Sequence, residues 1–224
     1  MKLLGDAFAW VADPGNWSGA SGIWVRLGQH LGIALLVLLI AGVLALPVGV
    51  AVGHTRRGQG VVAAIAGAAR AVPTLGLLTL LGLVLGIGLK APVIVLVVLA
   101  IPPLLAGAYS GVANVDVTAV KAARALGMSE WQIVRGVELP LAGPVIMGGV
   151  GSAAVQVVAT ATLAAYIADA GLGRFIFSGL SARRYDEMLG GAILVIASAL
   201  FVDLAFNLAV KVSNRHARGS AALA

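Results

Sequence analysis

The order of apolar and polar positions divides the chain into long hydrocarbon stretches separated by short charged ones. Residues 31–52, 71–89, 91–115 and 139–168 contain no Asp, Glu, Lys or Arg, and a fifth apolar stretch, 188–210, is interrupted only by Asp203. A helix needs about 20 apolar residues to cross the roughly 30 Å hydrocarbon layer of a bilayer, so each stretch suffices. The strict alternation of a membrane β-strand is missing, which leaves helices as the spanning elements. The pattern predicts an all-α membrane protein with about five transmembrane helices. The second span passes Arg70 and Pro73, and the third carries Pro102 and Pro103.

Residues 120–141, VKAARALGMSEWQIVRGVELPL, break this pattern. Lys121, Arg124, Glu130, Arg135 and Glu138 punctuate an amphipathic segment that cannot lie in lipid. Helical spacing sets Val120, Ala123, Leu126 and Gly127 on one side of a first short helix, with Trp131, Val134 and Val137 on a second. Gly127 is the expected break between them, because glycine tolerates the backbone angles that end a helix. Pro140 fits where the next helix begins, since its missing N–H is least costly there. The expectation is a helix–turn–helix docking element of about residues 112–141, lying between the third and fourth spans.

Composition sharpens the picture. Of 224 residues, 60% are hydrophobic and 11% charged, against about 25% charged in a soluble domain. The absence of cysteine rules out a disulfide framework. A formal charge of +6 would permit a nucleic-acid partner, but the basic residues sit in short loops between spans, so none is expected. No cleavable signal peptide is expected, because a polar lead-in with Asp6, Asp13, Pro14 and Asn16 precedes the first apolar run. Trp10, Trp17 and Trp24 in that lead-in read as an aromatic belt at the lipid–water interface.

Placing the amino end outside puts Arg56, Arg57, Lys121, Arg124, Arg135, Lys211, Arg215 and Arg218 in the cytoplasm. Lys2, Arg26, Lys90, Arg174, Arg183 and Arg184 then lie outside, in keeping with the positive-inside tendency. The domains expected are an extracytoplasmic lead-in over 1–26, a transmembrane domain over 27–210 and a cytoplasmic tail over 211–224. Glycines four apart, Gly28/Gly32, Gly49/Gly53, Gly82/Gly86 and Gly107/Gly111, read as surfaces where helices approach closely.

The chemistry-bearing residues are few. No GxxxxGK[ST] segment exists, so this chain is expected to hydrolyse no nucleotide by that route and to be no enzyme. No His, Asp or Glu stands at metal-ligand spacing, so no metal site is expected. His30 reads as interfacial. Asp203, the acid lying well within a span, reads as bonded to a neighbouring helix end rather than as a proton carrier. Gln156 and Thr160 share a helical face with Leu163 and Ile167. They could line a solute path, or bond to other helices or their own carbonyls.

The segment Ala122-Ala123, three residues, Gly127, nine residues, Val137, one residue, Leu139-Pro140 resembles the EAA loop of bacterial ABC-importer permeases. Val115-Asp116, Leu126-Gly127-Met128, residues 159–166 with Gly171-Leu172-Gly173, and residues 70–77 resemble the permeases for glycine betaine, choline, carnitine or proline. The resemblance covers roughly residues 20–210. It implies a multi-pass protein of the bacterial plasma membrane that passes a compatible solute from an external binding protein to the cytoplasm. It also implies a second permease subunit, identical or homologous, and a cytoplasmic ATPase that uses the ATP, this chain binding no cofactor. The loop residues it implies for ATPase coupling are Lys121, Ala122, Ala123, Gly127, Val137, Leu139 and Pro140. Lys121 stands where the family has glutamate, which inverts the charge offered to the ATPase. Tyr109, Gln156, Thr160 and Tyr166 are the candidate solute-path residues. The competing class is an ion-coupled secondary transporter or channel subunit.

Overall fold

The computed structural model describes residues 2–221, and among them are ten α-helices joined by short 3-10 and π turns. They are α1 (Lys2–Ala12), α2 (Ile23–Thr55), α3 (Gln59–Ala71), α4 (Thr74–Leu85) and α5 (Lys90–Ala113), followed by α6 (Val117–Ala125), α7 (Glu130–Ile133), α8 (Leu139–Thr160), α9 (Gly173–Ser181) and α10 (Tyr185–Ala221). Four helical stretches, Ile23–Thr55, Lys90–Ala113, Glu130–Tyr166 and Tyr185–Lys211, are long and apolar enough to cross a membrane. The count rises to five if α3 and α4 form one broken span. The sequence predicts that span as a single helix. It is interrupted at Val72-Pro73, because proline's ring disfavours helical angles in the residue before it and removes a backbone donor. The side chain of Arg70 and those of the basic tail residues Arg215, His216 and Arg218 lie outside the described residues.

The chain divides into two compact units. The first holds the chain up to Ile40, Val72–Leu99 and Ala154–Val202. Its core gathers Ile23, Leu172, Phe175 and Val195, with Trp10, Trp17 and Leu27 packed against them. Trp10 meets Phe175 edge-on at 5.1 Å and covers Gly190. The Trp17 indole N–H donates to the Val11 carbonyl at 2.7 Å. Two of the three tryptophans thus pack inward, and Trp24 alone of them is largely exposed. This corrects the expectation of an interfacial belt. Asp13 and Pro14 explain the arrangement, since the Asp13 carboxylate caps the 3-10 turn Pro14–Asn16 and folds the lead-in back.

The same unit buries the polar start of α2. Arg26 donates to the Asp169 carbonyl at 2.7 Å and to its carboxylate at 3.0 Å. Gln29 accepts from the Gly171 N–H at 3.0 Å. His30 is fully buried, with Nε2 2.9 Å from the Val158 carbonyl. That overturns the interfacial reading of His30. Gly171 has φ 78, and a Cβ there would stand 3.1 Å from the imidazole, so glycine is needed for both reasons.

The second unit holds Ala41–Ala71, Ala100–Ala153 and the chain from Asp203 onward. Here α5 is gripped on two sides by backbone contact. A Cβ on Gly49 of α2 would come within 2.6 Å of the Ala108 Cβ, and one on Gly53 within 2.7 Å of the Val112 Cβ. On another face of α5, Gly107 sits against Gly149 of α8, and Gly111 against Ala142 and Ile146. Two of the four predicted glycine pairs therefore do what their spacing implies. Gly28 and Gly32 face open space, and Gly86, with φ 81, ends α4. Asp203 accepts from the Asn207 side chain at 3.0 Å, one turn along the same exposed helix. Among the described residues the expected bond to a neighbouring helix end is not formed.

A candidate coupling element and the residues around it

The helix–turn–helix of residues 116–138 is assembled from local signals. The Asp116 carboxylate accepts from the Thr118 N–H at 2.8 Å and caps α6. The end of α6 is a Schellman turn. Gly127, with φ 82, donates to the Arg124 carbonyl at 3.0 Å, and Met128 donates to the Ala123 carbonyl at 3.2 Å. Ser129 and Gln132 then form a reciprocal capping box at the start of α7. The helix continues through a π turn, Val134–Glu138, before α8. The Leu139 N–H reaches back five residues to the Val134 carbonyl. That widening lies directly before Pro140, where an ordinary helix would drive the proline ring against the Gly136 carbonyl.

The element is seated on the chain by its apolar side. Val120, Ala123 and Ile133 are buried with Val112, Val115 and Ala142, and Met128 and Val137 pack against them. The two alanines divide the work, Ala123 facing inward and Ala122 outward beside exposed Lys121. Leu126 does not join the buried side as its spacing predicts. It lies 84% exposed, because α6 stops at Ala125 and the turn carries Leu126 off the helical face. Trp131 is 65% exposed, with the Arg135 guanidinium 5.3 Å above its ring. The outward surface is therefore small, apolar and basic at once.

Four ionisable side chains brace the underside. Arg124 grips the Glu130 carboxylate with two bonds of 2.7 and 2.8 Å, and Glu130 raises the guanidinium's already high pKa. The His54 ring lies between two acids, with Nε2 3.1 Å from Glu130 and Nδ1 2.7 Å from Glu138. Glu138 is 4% exposed. In the sequence Glu130 and Glu138 stand only as charges of the amphipathic segment, and His54 as part of a polar span end. The capping box could have been read from Ser129 and Gln132, three apart, but nothing local joins His54 to an acid 84 residues away. Losing the box is expected to loosen the element without unfolding it. Ser129→Ala should cost about 1 kcal/mol, so hydrogen exchange at the amides of α7 in the full chain should quicken roughly fivefold.

The proposed solute-path residues are divided between the two units. Tyr109 belongs to the second unit, and Gln156, Thr160 and Tyr166 to the first. The Gln156 side chain donates to the Leu99 carbonyl at 3.3 Å. Thr160 bonds back to the Gln156 carbonyl, and Thr162 to that of Ala159 at 2.9 Å. From Ala161 to Tyr166 the helix tightens to 3-10 geometry, so the face shared by Gln156 and Thr160 does not run on through Leu163 and Ile167. Tyr166 packs on Phe177 at 5.7 Å and lines a cavity of about 440 Å³ with Arg174, Ser178 and Arg184.

Several apolar helices, with a charged and capped pair of short helices seated against them, define a multi-pass membrane protein. The chain belongs to the family described as the binding-protein-dependent transport system inner membrane component, whose sequence profile spans residues 41–219. It is 38% identical over 181 residues to the carnitine transport permease protein OpuCB of Listeria monocytogenes, covering 81% of this chain and 83% of that one. It is 32% identical to the glycine betaine/carnitine/choline transport system permease protein OpuCB of Bacillus subtilis, covering 80% and 82%. Among solved structures, the MetNI methionine ABC transporter in inward-facing conformations matches with a TM-score of 0.73 at 25% identity, covering 85% of this chain and 96% of that chain. The protein is thus an ABC transporter permease of the inner membrane, and its relatives are transport permeases rather than enzymes.

Proposed function

We propose that this chain is one of two permease subunits of an ATP-driven importer for compatible solutes of the glycine betaine, choline, carnitine or proline type. The observation that carries the solute class is the identity of 38% with a carnitine permease over four-fifths of the chain. In this reading residues 112–141 are the coupling loop. Ala122, Leu126 and Trp131 face outward for the ATPase, while Ala123 and Ile133 anchor the loop to the helices it must move. ATP is bound and hydrolysed on that partner, and an external binding protein delivers the solute. Residues 1–26 lie outside, the transmembrane domain covers 27–210, and the tail from 211 lies in the cytoplasm.

The test is uptake of radiolabelled glycine betaine, choline, carnitine and proline into proteoliposomes holding this chain with its ATPase and binding protein. Uptake is expected only with ATP inside and binding protein outside. Uptake driven by an ion gradient without ATP would establish the ion-coupled class instead.

A further inference from the structure

Between the lead-in and the segment running from α9 into α10 lies a cavity of about 240 Å³. Trp10, Ser18 and Ser21 line it from the lead-in, and Phe175, Arg184 and Glu187 from the other side. All six belong to the first unit. The family profile begins at residue 41, so the lead-in wall lies outside it. Glu187 is 6% exposed, and its Oε1 accepts from the Ser178 hydroxyl at 2.7 Å. Its Oε2 is buried and accepts no hydrogen bond. The Arg184 guanidinium comes within 2.7 Å of that oxygen, but its N–H groups do not point along the line between them. A buried carboxylate oxygen left without a donor is costly, so it marks a place where a partner belongs. Arg184 stands against it with a side chain 60% exposed, and the long stem leaves the guanidinium able to turn aside.

The cavity wall therefore carries one charge of each sign and an unsatisfied acid oxygen. It also carries two aromatic rings, since Trp10 and Phe175 meet at 5.1 Å, and such rings attract alkylated cations. The Ser18 and Ser21 hydroxyls are exposed and can donate to a carboxylate. Arg184 would repel a net cation, and Glu187 a net anion. A molecule bearing both charges suits both residues. The volume lies below the roughly 300–1,000 Å³ of sites for drug-sized ligands, so it admits a solute of few atoms. We propose that this cavity is an entry site for a small zwitterion. The cationic end lies against Glu187 Oε2, Trp10 and Phe175, and the carboxylate against Arg184 and the two serine hydroxyls. Arg184 uncovers Oε2 as it turns toward the carboxylate, so each end of the solute favours binding of the other. The site rests on reading the chain as an importer permease with residues 1–26 outside, and deepens that reading. It ranks glycine betaine, carnitine and proline, which carry both charges, above choline, which carries one.

The experiment measures binding of radiolabelled glycine betaine to the assembled transporter in lipid nanodiscs, with neither binding protein nor ATP. Binding should saturate. Unlabelled proline should displace the label, whereas choline and acetate, each lacking one of the charges, should need at least fivefold higher concentrations. Arg184→Gln should weaken glycine betaine at least fivefold without weakening choline, a split that a loss of folding would not give. The exposed Arg184 carries the test because a variant of buried Glu187 could fail to fold. Three results overturn the proposal: no saturable binding, choline displacing the label as well as proline does, or Arg184→Gln binding glycine betaine like the wild type. Uptake in proteoliposomes tells failure of the site from failure of the importer reading. ATP-driven uptake that Arg184→Gln leaves unaltered overturns the entry role and leaves the importer standing. Intact binding without ATP-driven uptake of any solute supports the site and sinks the importer.

Discussion

Gly127→Val in the assembled transporter is expected to leave ATP hydrolysis running while solute uptake drops more than tenfold. The cause is backbone conformation rather than bulk. Gly127 has φ 82, and nothing lies within 4 Å of where its Cβ would stand. An L-residue in this left-handed region costs roughly 1–2 kcal/mol, and a β-branched one more. The cheapest relief is to unwind the Schellman turn, which gives up the bonds from Gly127 to Arg124 and from Met128 to Ala123. Met128 would then leave the apolar cluster that seats the element. The two short helices would no longer move as one body, and a push on α6 would dissipate in the turn. Asn tolerates left-handed angles, so Gly127→Asn should keep most of the uptake, with Gly127→Ala between the two. Equal uptake in all three variants would exclude the argument, since open space removes any steric alternative. The readout is uptake against hydrolysis in one proteoliposome preparation.

Features with local causes were legible in the sequence. Apolar runs longer than a bilayer's thickness announce the crossing helices, and the break at Gly127 follows from its place between two amphipathic stretches. The loop's spacing, ending in Leu139-Pro140, pointed to the family to which the chain belongs. Contacts between distant parts of the chain were not legible. His54 and Glu138 look like an unremarkable basic end and one more surface charge until folding joins them. His30 and Trp10 read as interfacial because hydropathy cannot distinguish a side chain facing lipid headgroups from one packed against a distant helix, as His30 is against Val158 and Trp10 against Phe175. Gln156 and Thr160 were ambiguous for a related reason. A polar group within a span can be satisfied by a backbone carbonyl, and the Leu99 and Gln156 carbonyls take that role here. Pro73 was visible, but a kink and a complete interruption have the same letter in the sequence.

Gly149→Val is expected to have the largest effect on stability, although no ligand contact is involved. The Gly149 and Gly107 backbones meet so closely that a Cβ on either would stand 2.7 Å from the other's Cα, and the one on Gly149 also 3.0 Å from the Pro103 carbonyl. These are backbone atoms, which cannot rotate aside as a side chain could. The helices α5 and α8 would have to separate, and α5 has little freedom because Gly49 and Gly53 hold its other face at similar range. In lipid, apolar side chains gain little from leaving the surrounding tails, so helix association depends on close packing. Overpacking of this kind costs about 1–3 kcal/mol. At roughly 2–4 °C per kcal/mol for a chain of this size, the melting temperature in detergent should fall by about 5–10 °C. Gly148 provides the control one residue away, with nothing within 4 Å of its Cβ position. Gly148→Ala should leave melting unchanged or raise it slightly, since alanine is the better helix former by up to about 1 kcal/mol. Equal melting of Gly149→Val and Gly148→Ala would mean that α5 and α8 do not meet as described, and the glycine spacing would lose its structural meaning.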